Sequence, residues 1–130
     1  MILSTSALVA LWRNTADAPL LHAAIVRDPV RAISAASVVE AAMVLLAERQ
    51  GGSDLELDAL LRELEVLVVP FAESQAHRAR EAARTYGRGR HVAALTMGDC
   101  FAYALASEMG EPLLAVGDPF THTDIERVAY

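Results

Sequence analysis

Three carboxylates occupy surroundings in which a charge needs a reason. Glu40 is the lone charge in "ASVVEAAMVLLA", Asp99 opens the apolar continuation of "MGDCFAYALA", and Asp118 follows directly on "LLAVG". Each has an ordinary explanation. Glu40 would close a Ser37-Val-Val-Glu40 capping box, Asp99 would suit the positive end of a helix, and Asp118 would be a turn aspartate. Together they suggest chemistry, because carboxylates gathered at one edge must take up protons or share a cation. Hard oxygen donors of this kind suit Mg²⁺ or Mn²⁺. A cation so held makes hydroxide from water and offsets charge on a phosphodiester during in-line attack. A divalent-metal phosphodiesterase is therefore the reaction class the acids indicate.

Other chemistries are poorly supplied. Cys100 adjoins Asp99, a neighbour that raises a thiol pKa, and reads as a small core residue. His22, His77, His91 and His122 share no spacing typical of zinc ligands. All 11 basic residues are arginine, which rules out a Walker-type phosphate loop, a Schiff-base lysine and a receiver domain with its lysine. Arg78, Arg80, Arg84, Arg88 and Arg90 fall within thirteen residues, with only Glu81 among them. They form either a solvated helix face or a cationic strip able to hold phosphates. The formal net charge of -6 argues against a generally basic nucleic-acid binder.

The elements that must position these groups follow from the apolar pattern. A chain of 130 residues with 54% hydrophobic content makes one domain, residues 1–130, with a core of its own. Residues 2–10 read as a first strand interrupted by Ser4-Thr5-Ser6. "ADAPLLHAAIVRD" is a helix with Pro19 in its first turn, and residues 31–34 are a short strand. "SVVEAAMVLLAERQGG" is a helix with Ser37 as N-cap and Gly51-Gly52 as its stop, and Ser53 to Glu56 is the capping box of the next. "EVLVVP" is a strand, residues 72–86 carry the arginines on a helix ending at Gly87, and "DCFAYALASEMG" is a helix capped by Gly110. "PLLAVGD" is a further strand, and "TDIERVAY" supplies a last turn and an edge strand. Strands alternating with helices predict an α/β fold with a mostly parallel sheet of four to five strands and helices on both faces, sites gathering beyond the strands' C-terminal ends. A single cysteine allows no intramolecular disulfide and fits a reducing, cytoplasmic setting. No stretch is apolar for long enough to span a membrane.

Over essentially its whole length the chain resembles the PIN-domain toxins of VapBC toxin–antitoxin systems. "MILSTSALVAL" is similar to their first strand, "ISAASVVEAAMVL" to the segment bearing their glutamate, "YGRGRHVAALTMGDCFAYALA" to a characteristic stretch bearing their next acid, and "GEPLLAVGDPFTHTDIE" to their closing motif. The resemblance implies a three-layer PIN-like fold and Mg²⁺-dependent endoribonuclease activity that arrests translation. It also implies a homodimer and a VapB-like antitoxin whose C-terminal segment covers the acidic pocket. It places Glu40, Asp99 and Asp118 as the acids that hold metal and water, with Ser6 steadying a ligand or a metal-bound water and Thr5 in support. Arg80, Arg84, Arg88 and Arg90 become candidate contacts to RNA phosphates on charge alone. Two positions depart from the pattern. Pro119 stands where many members have a second aspartate, and Ser4 stands at the catalytic position of their first. Serine is neutral and a weak Mg²⁺ ligand, so the expectation is an impaired nuclease, or else a silent module that binds an antitoxin without cutting RNA.

Overall fold

The computed structural model describes residues 1–48 and 54–130. Four short parallel strands form its centre: β1 (Ile2–Leu3), β2 (Ala32–Ser34), β3 (Leu67–Val69) and β4 (Leu113–Leu114), in the order β3-β2-β1-β4. Six helices connect or follow them: α1 (Thr5–Trp12), α2 (Ala18–Arg27), α3 (Ala35–Leu46), α4 (Asp54–Glu63), α5 (Glu73–Tyr86) and α6 (Met97–Met109). A short 3-10 turn, Pro119–His122, follows β4.

The strand register explains the layers. Ile2 pairs with Ala32 and Leu113, and Leu3 pairs with Ile33 and Leu114. Successive residues of a strand face opposite sides, so the two registers feed two cores. Leu3, Ile33 and Leu114 pack with Leu8, Leu21, Ile25, Leu57 and Leu61, under α1, α2 and α4. Ile2, Ala32 and Leu113 pack with Ala79, Ala82, Leu105 and Phe120, under α5 and α6. With both faces covered, the strands carry apolar residues throughout.

The reading of residues 2–10 as one strand is corrected: the strand stops at Leu3 and a helix runs from Thr5. Ser4 is its N-cap, and its Oγ accepts from the Ala7 amide at 3.3 Å. An unbroken apolar run does not by itself separate strand from helix. Here Ala7, Leu8, Val9 and Ala10 are all buried, a pattern without the alternation of a half-buried strand. Residues 31–34 hold as β2, but the helix after them begins at Ala35, not Ser37. Ser34 is the N-cap, with Oγ accepting from Ala36 at 3.3 Å. Ser37 is inside the helix, fully buried, with no hydrogen-bond partner for its hydroxyl among the described residues. The Ser37–Glu40 capping box is therefore absent, which releases the Glu40 carboxylate for another role.

The expected stop at Gly51-Gly52 and cap at Ser53 lie outside the described residues. Helix α5 and its end at Gly87 match expectation, as does Gly110, which closes α6 in the left-handed region at φ 65°. Helix α6 starts earlier than expected because Thr96, not a later residue, caps it. The tail bends at residues 123–125 rather than forming the expected turn and edge strand, and it pairs only as an isolated parallel bridge, Leu113 with Arg127. Among the described residues no helix is long and apolar enough to cross a membrane.

Candidate active site

The C-terminal ends of β1, β2 and β4 deliver the first turns of α1 and α3 and the loop containing Asp118 to one edge of the sheet. Hydroxyl groups fasten that edge. The Ser4 and Ser6 Oγ atoms share a hydrogen bond of 2.9 Å, and the Val116 amide donates to Ser6 Oγ at 3.0 Å. The polar triplet thus links the end of β1, the start of α1 and the segment just after β4. Ser4 itself is buried, with 2% of its surface exposed.

Thr5 and Glu40 are brought together. Thr5 Oγ1 donates to Glu40 Oε2 at 2.5 Å and lies 3.4 Å from the Ser37 carbonyl oxygen. The glutamate's other wall is Gly98 on α6, where an added Cβ would overlap the Glu40 carboxylate. Sequence reasoning missed Gly98. The available signal was a glycine in the first turn of a helix, where alanine is favoured by up to about 1 kcal/mol.

Asp99 faces its own helix end. Its Oδ2 accepts from the Thr96 amide at 2.9 Å and the Thr96 hydroxyl at 2.8 Å, while its amide donates to Thr96 Oγ1 at 3.3 Å. Asp99 does lie in the first turn of its helix, and beyond that it closes a capping box with Thr96 that fixes the carboxylate beside Gly98. Asp118 is exposed at the start of the 3-10 turn, with no side-chain capping bond. Arg127 steadies that turn by donating to the Gly117 carbonyl at 2.9 Å and Thr121 Oγ1 at 2.6 Å.

The donor set does not fit a resident metal ion. Among the described residues no three His, Cys, Asp or Glu side chains converge as such an ion requires. Ser4 closes the end of β1 with a neutral side chain whose oxygen is already engaged by Ala7 and Ser6.

Arg80, Arg84, Arg88 and Arg90 are all exposed. Arg88 lines a surface cleft with Thr96 and Met97, because the Gly87–Leu95 bridge folds its loop back onto the start of α6. Arg84 lies 3.8 Å from Glu81, an exposed pair that contributes little.

Cys100 is 4% exposed, and burial, reinforced by the Asp99 charge, pushes its thiol up to about 11. The folded chain is expected to resist iodoacetamide at mildly alkaline pH and to react once unfolded, which intact-mass measurement reads directly. The linked stability is intact below the ordinary thiol pKa of about 8.5. It is lost as the pH rises toward about 11, because the unfolded thiol ionises first. Cys100→Ala should flatten that fall.

Residues 1–126 match the family model described as the PIN domain. Ribonuclease VapC30 of Mycobacterium tuberculosis is 46% identical over 129 residues, covering 99% of this chain and 98% of that one. The chain belongs to the VapC ribonuclease family of PIN domains. A ribonuclease VapC of Mycolicibacterium smegmatis is 45% identical over 128 residues, covering 98% of this chain and 99% of its own. The crystal structure of Mycobacterium tuberculosis VapC20, described as a sarcin–ricin loop cleaving toxin, aligns with a TM-score of 0.78 at 18% identity, covering 98% and 97% of the two chains. A toxin–antitoxin complex from Klebsiella pneumoniae aligns at 0.70 and 17% identity, covering 99% of this chain and 97% of that one. These two likenesses establish the shared PIN fold.

For this PIN domain the close approach of Glu40 to Gly98 has a testable consequence. In a Ser4→Asp background, Gly98→Ala is expected to displace the Glu40 carboxylate and lower RNA cleavage by about tenfold or more. The melting temperature should stay within about 4 °C, since alanine is tolerated in a first helical turn. Unchanged cleavage would show that Glu40 needs no such cradle.

Proposed function

We propose that this chain is the toxin half of a toxin–antitoxin pair, a VapC-type ribonuclease whose RNA cleavage is severely reduced as it stands. The observation that carries the reading is Ser4: buried at the end of β1, neutral, and spent on an N-cap and a bond to Ser6. Glu40, Asp99 and Asp118 alone give no converged trio of acids among the described residues. Mg²⁺, or Mn²⁺ in its place, is proposed as the cation of the Ser4→Asp form, whose added carboxylate supplies the missing charge. Arg80, Arg84, Arg88 and Arg90 are the groups proposed to meet RNA phosphates.

An apolar groove supports the antitoxin partner. Val39, Met43 and Val44 of α3 and Met97 and Phe101 of α6 line a depression of about 480 Å³ beside Glu40. Val39, Met43 and Met97 are more than half exposed, and contiguous apolar surface rimmed by a charge suits a protein partner. An antitoxin segment lying there would reach the acidic edge. A second copy of the chain is proposed as a further partner, with the exposed Leu67 and Val68 on edge strand β3 as apolar surface a monomer would leave to solvent.

The test compares the chain and its Ser4→Asp variant on total RNA with Mg²⁺ and with EDTA. Cleavage gained by the variant alone supports a disabled nuclease. Cleavage by neither favours a silent PIN module that only binds an antitoxin, a reading the fully engaged Ser4 hydroxyl also accommodates.

A further inference from the structure

The face between α5 and α6 carries a second set of groups that the acidic edge does not use. Arg78, Glu81, Arg84 and Tyr86 of α5, Tyr103 of α6 and Asp124 of the tail line a polar depression of about 320 Å³. Tyr103 Oη donates to Asp124 Oδ1 at 2.7 Å. Tyr86 and Tyr103 stand with ring centres 5.8 Å apart and planes tilted by 52°. Arg78 donates to the Ser107 hydroxyl at 3.0 Å and forms no ion pair among the described residues.

These groups ask for three features in one ligand. Half-buried aromatic rings favour a flat π-system, the unpaired charge of Arg78 favours phosphate, and a carboxylate held by a tyrosine favours adjacent N–H donors. Burial and the Asp124 hydrogen bond push the Tyr103 hydroxyl well above its ordinary range, so it stays a donor to Asp124. A nucleotide of unpaired RNA unites base, phosphate and a readable edge. Among the bases, guanine presents N1–H and N2–H side by side, matching the two oxygens of a carboxylate. Adenine and cytosine place a ring acceptor there, and uracil flanks its single N–H with carbonyl oxygens, all of which a carboxylate repels.

The position also fits. Tyr103 follows Asp99 by four residues on α6, which puts both on one helix face about 6 Å apart along the axis. We propose that this depression is a guanine-reading subsite for unpaired RNA, placed so that the recognised nucleotide neighbours the one at the acidic edge. The proposal rests on the reading of the chain as an RNA-directed nuclease and names what that nuclease selects.

The experiment measures fluorescence anisotropy of a labelled short oligouridine carrying one guanosine, with the chain in EDTA, against the same strand carrying adenosine or inosine. The guanosine strand should bind about tenfold tighter than the adenosine strand, with inosine, which lacks the 2-amino group, in between. Asp124→Asn should erase the preference and Tyr103→Phe should reduce it, whereas His77→Gln, exposed elsewhere on α5, should leave it intact. Binding without base preference, or a preference that survives Asp124→Asn, overturns the proposal. If Ser4→Asp fails to cut RNA yet the Asp124-dependent preference is present, the subsite stands and the nuclease reading falls. If Ser4→Asp cuts RNA and the preference is absent, the nuclease reading stands and the subsite falls.

Discussion

Replacing Ser4 by aspartate is expected to turn a chain that cuts RNA very poorly into one that cuts it readily when Mg²⁺ is supplied. The fold should accept the change, because aspartate caps a helix about as well as serine and its charge meets the positive end of α1. The position is buried, so an uncompensated carboxylate there is costly and tends to take up a proton. A divalent cation shared with the neighbouring acids removes that cost. Changes that only reorient a metal ligand already alter affinity or activity by 10–100-fold, so supplying a ligand should raise cleavage by about a hundredfold or more. Two readouts follow: RNA degradation with Mg²⁺ against EDTA, and the melting temperature. Mg²⁺ at about a hundred times its Kd should add about 2.7 kcal/mol to the variant and leave the serine form nearly unchanged. A variant that gains neither cleavage nor Mg²⁺-dependent stability would remove position 4 from the explanation.

Phe120→Ala should produce the largest loss of stability. Its ring is 1% exposed within the core beneath α5 and α6. It is also the anchor of the 3-10 turn that begins beside Asp118. Truncating a buried phenylalanine costs about 3–5 kcal/mol, and little backbone is available to collapse into the space. Urea unfolding should show a lower midpoint with an unchanged slope. In a Ser4→Asp background cleavage should fall as well, because Asp118 loses the anchor of its turn. A shift below about 1 kcal/mol would mean that the tail is not held by its core contact.

The sheet was legible because its strands announce themselves as apolar runs separated by helical patterns, and the parallel order follows from that alternation. The first element is misread because Ile2-Leu3 and Ala7 to Leu11 are apolar without alternation on either side of the Ser4-Thr5-Ser6 interruption. Only tertiary packing, which buries α1 between the sheet and its neighbours, tells that helix from a strand. Ser34 and Ser37 are equally good caps by type, and the structure selects the first because β2 ends there. Glu40 stands out in the sequence as a charge in an apolar helix, yet its partner Thr5 lies 35 residues away, beyond any local pattern. Gly98 and the Tyr103–Asp124 pair were hidden for the same reason. The gap at Ser4 was visible only against the family's motif, since serine at a helix N-cap is unremarkable by itself. What the structure added is that the hydroxyl is built into the fold through Ala7 and Ser6.

The most direct test of the account is the activity of the chain with Ser4 in place, assayed on total RNA with Mg²⁺ beside its Glu40→Gln variant to expose any contaminating nuclease. Mg²⁺-dependent cleavage by the Ser4 chain is expected to stand only marginally, if at all, above that of Glu40→Gln. Strong cleavage by the Ser4 chain that disappears with EDTA and with Glu40→Gln would show that three acids suffice, and would contradict the account.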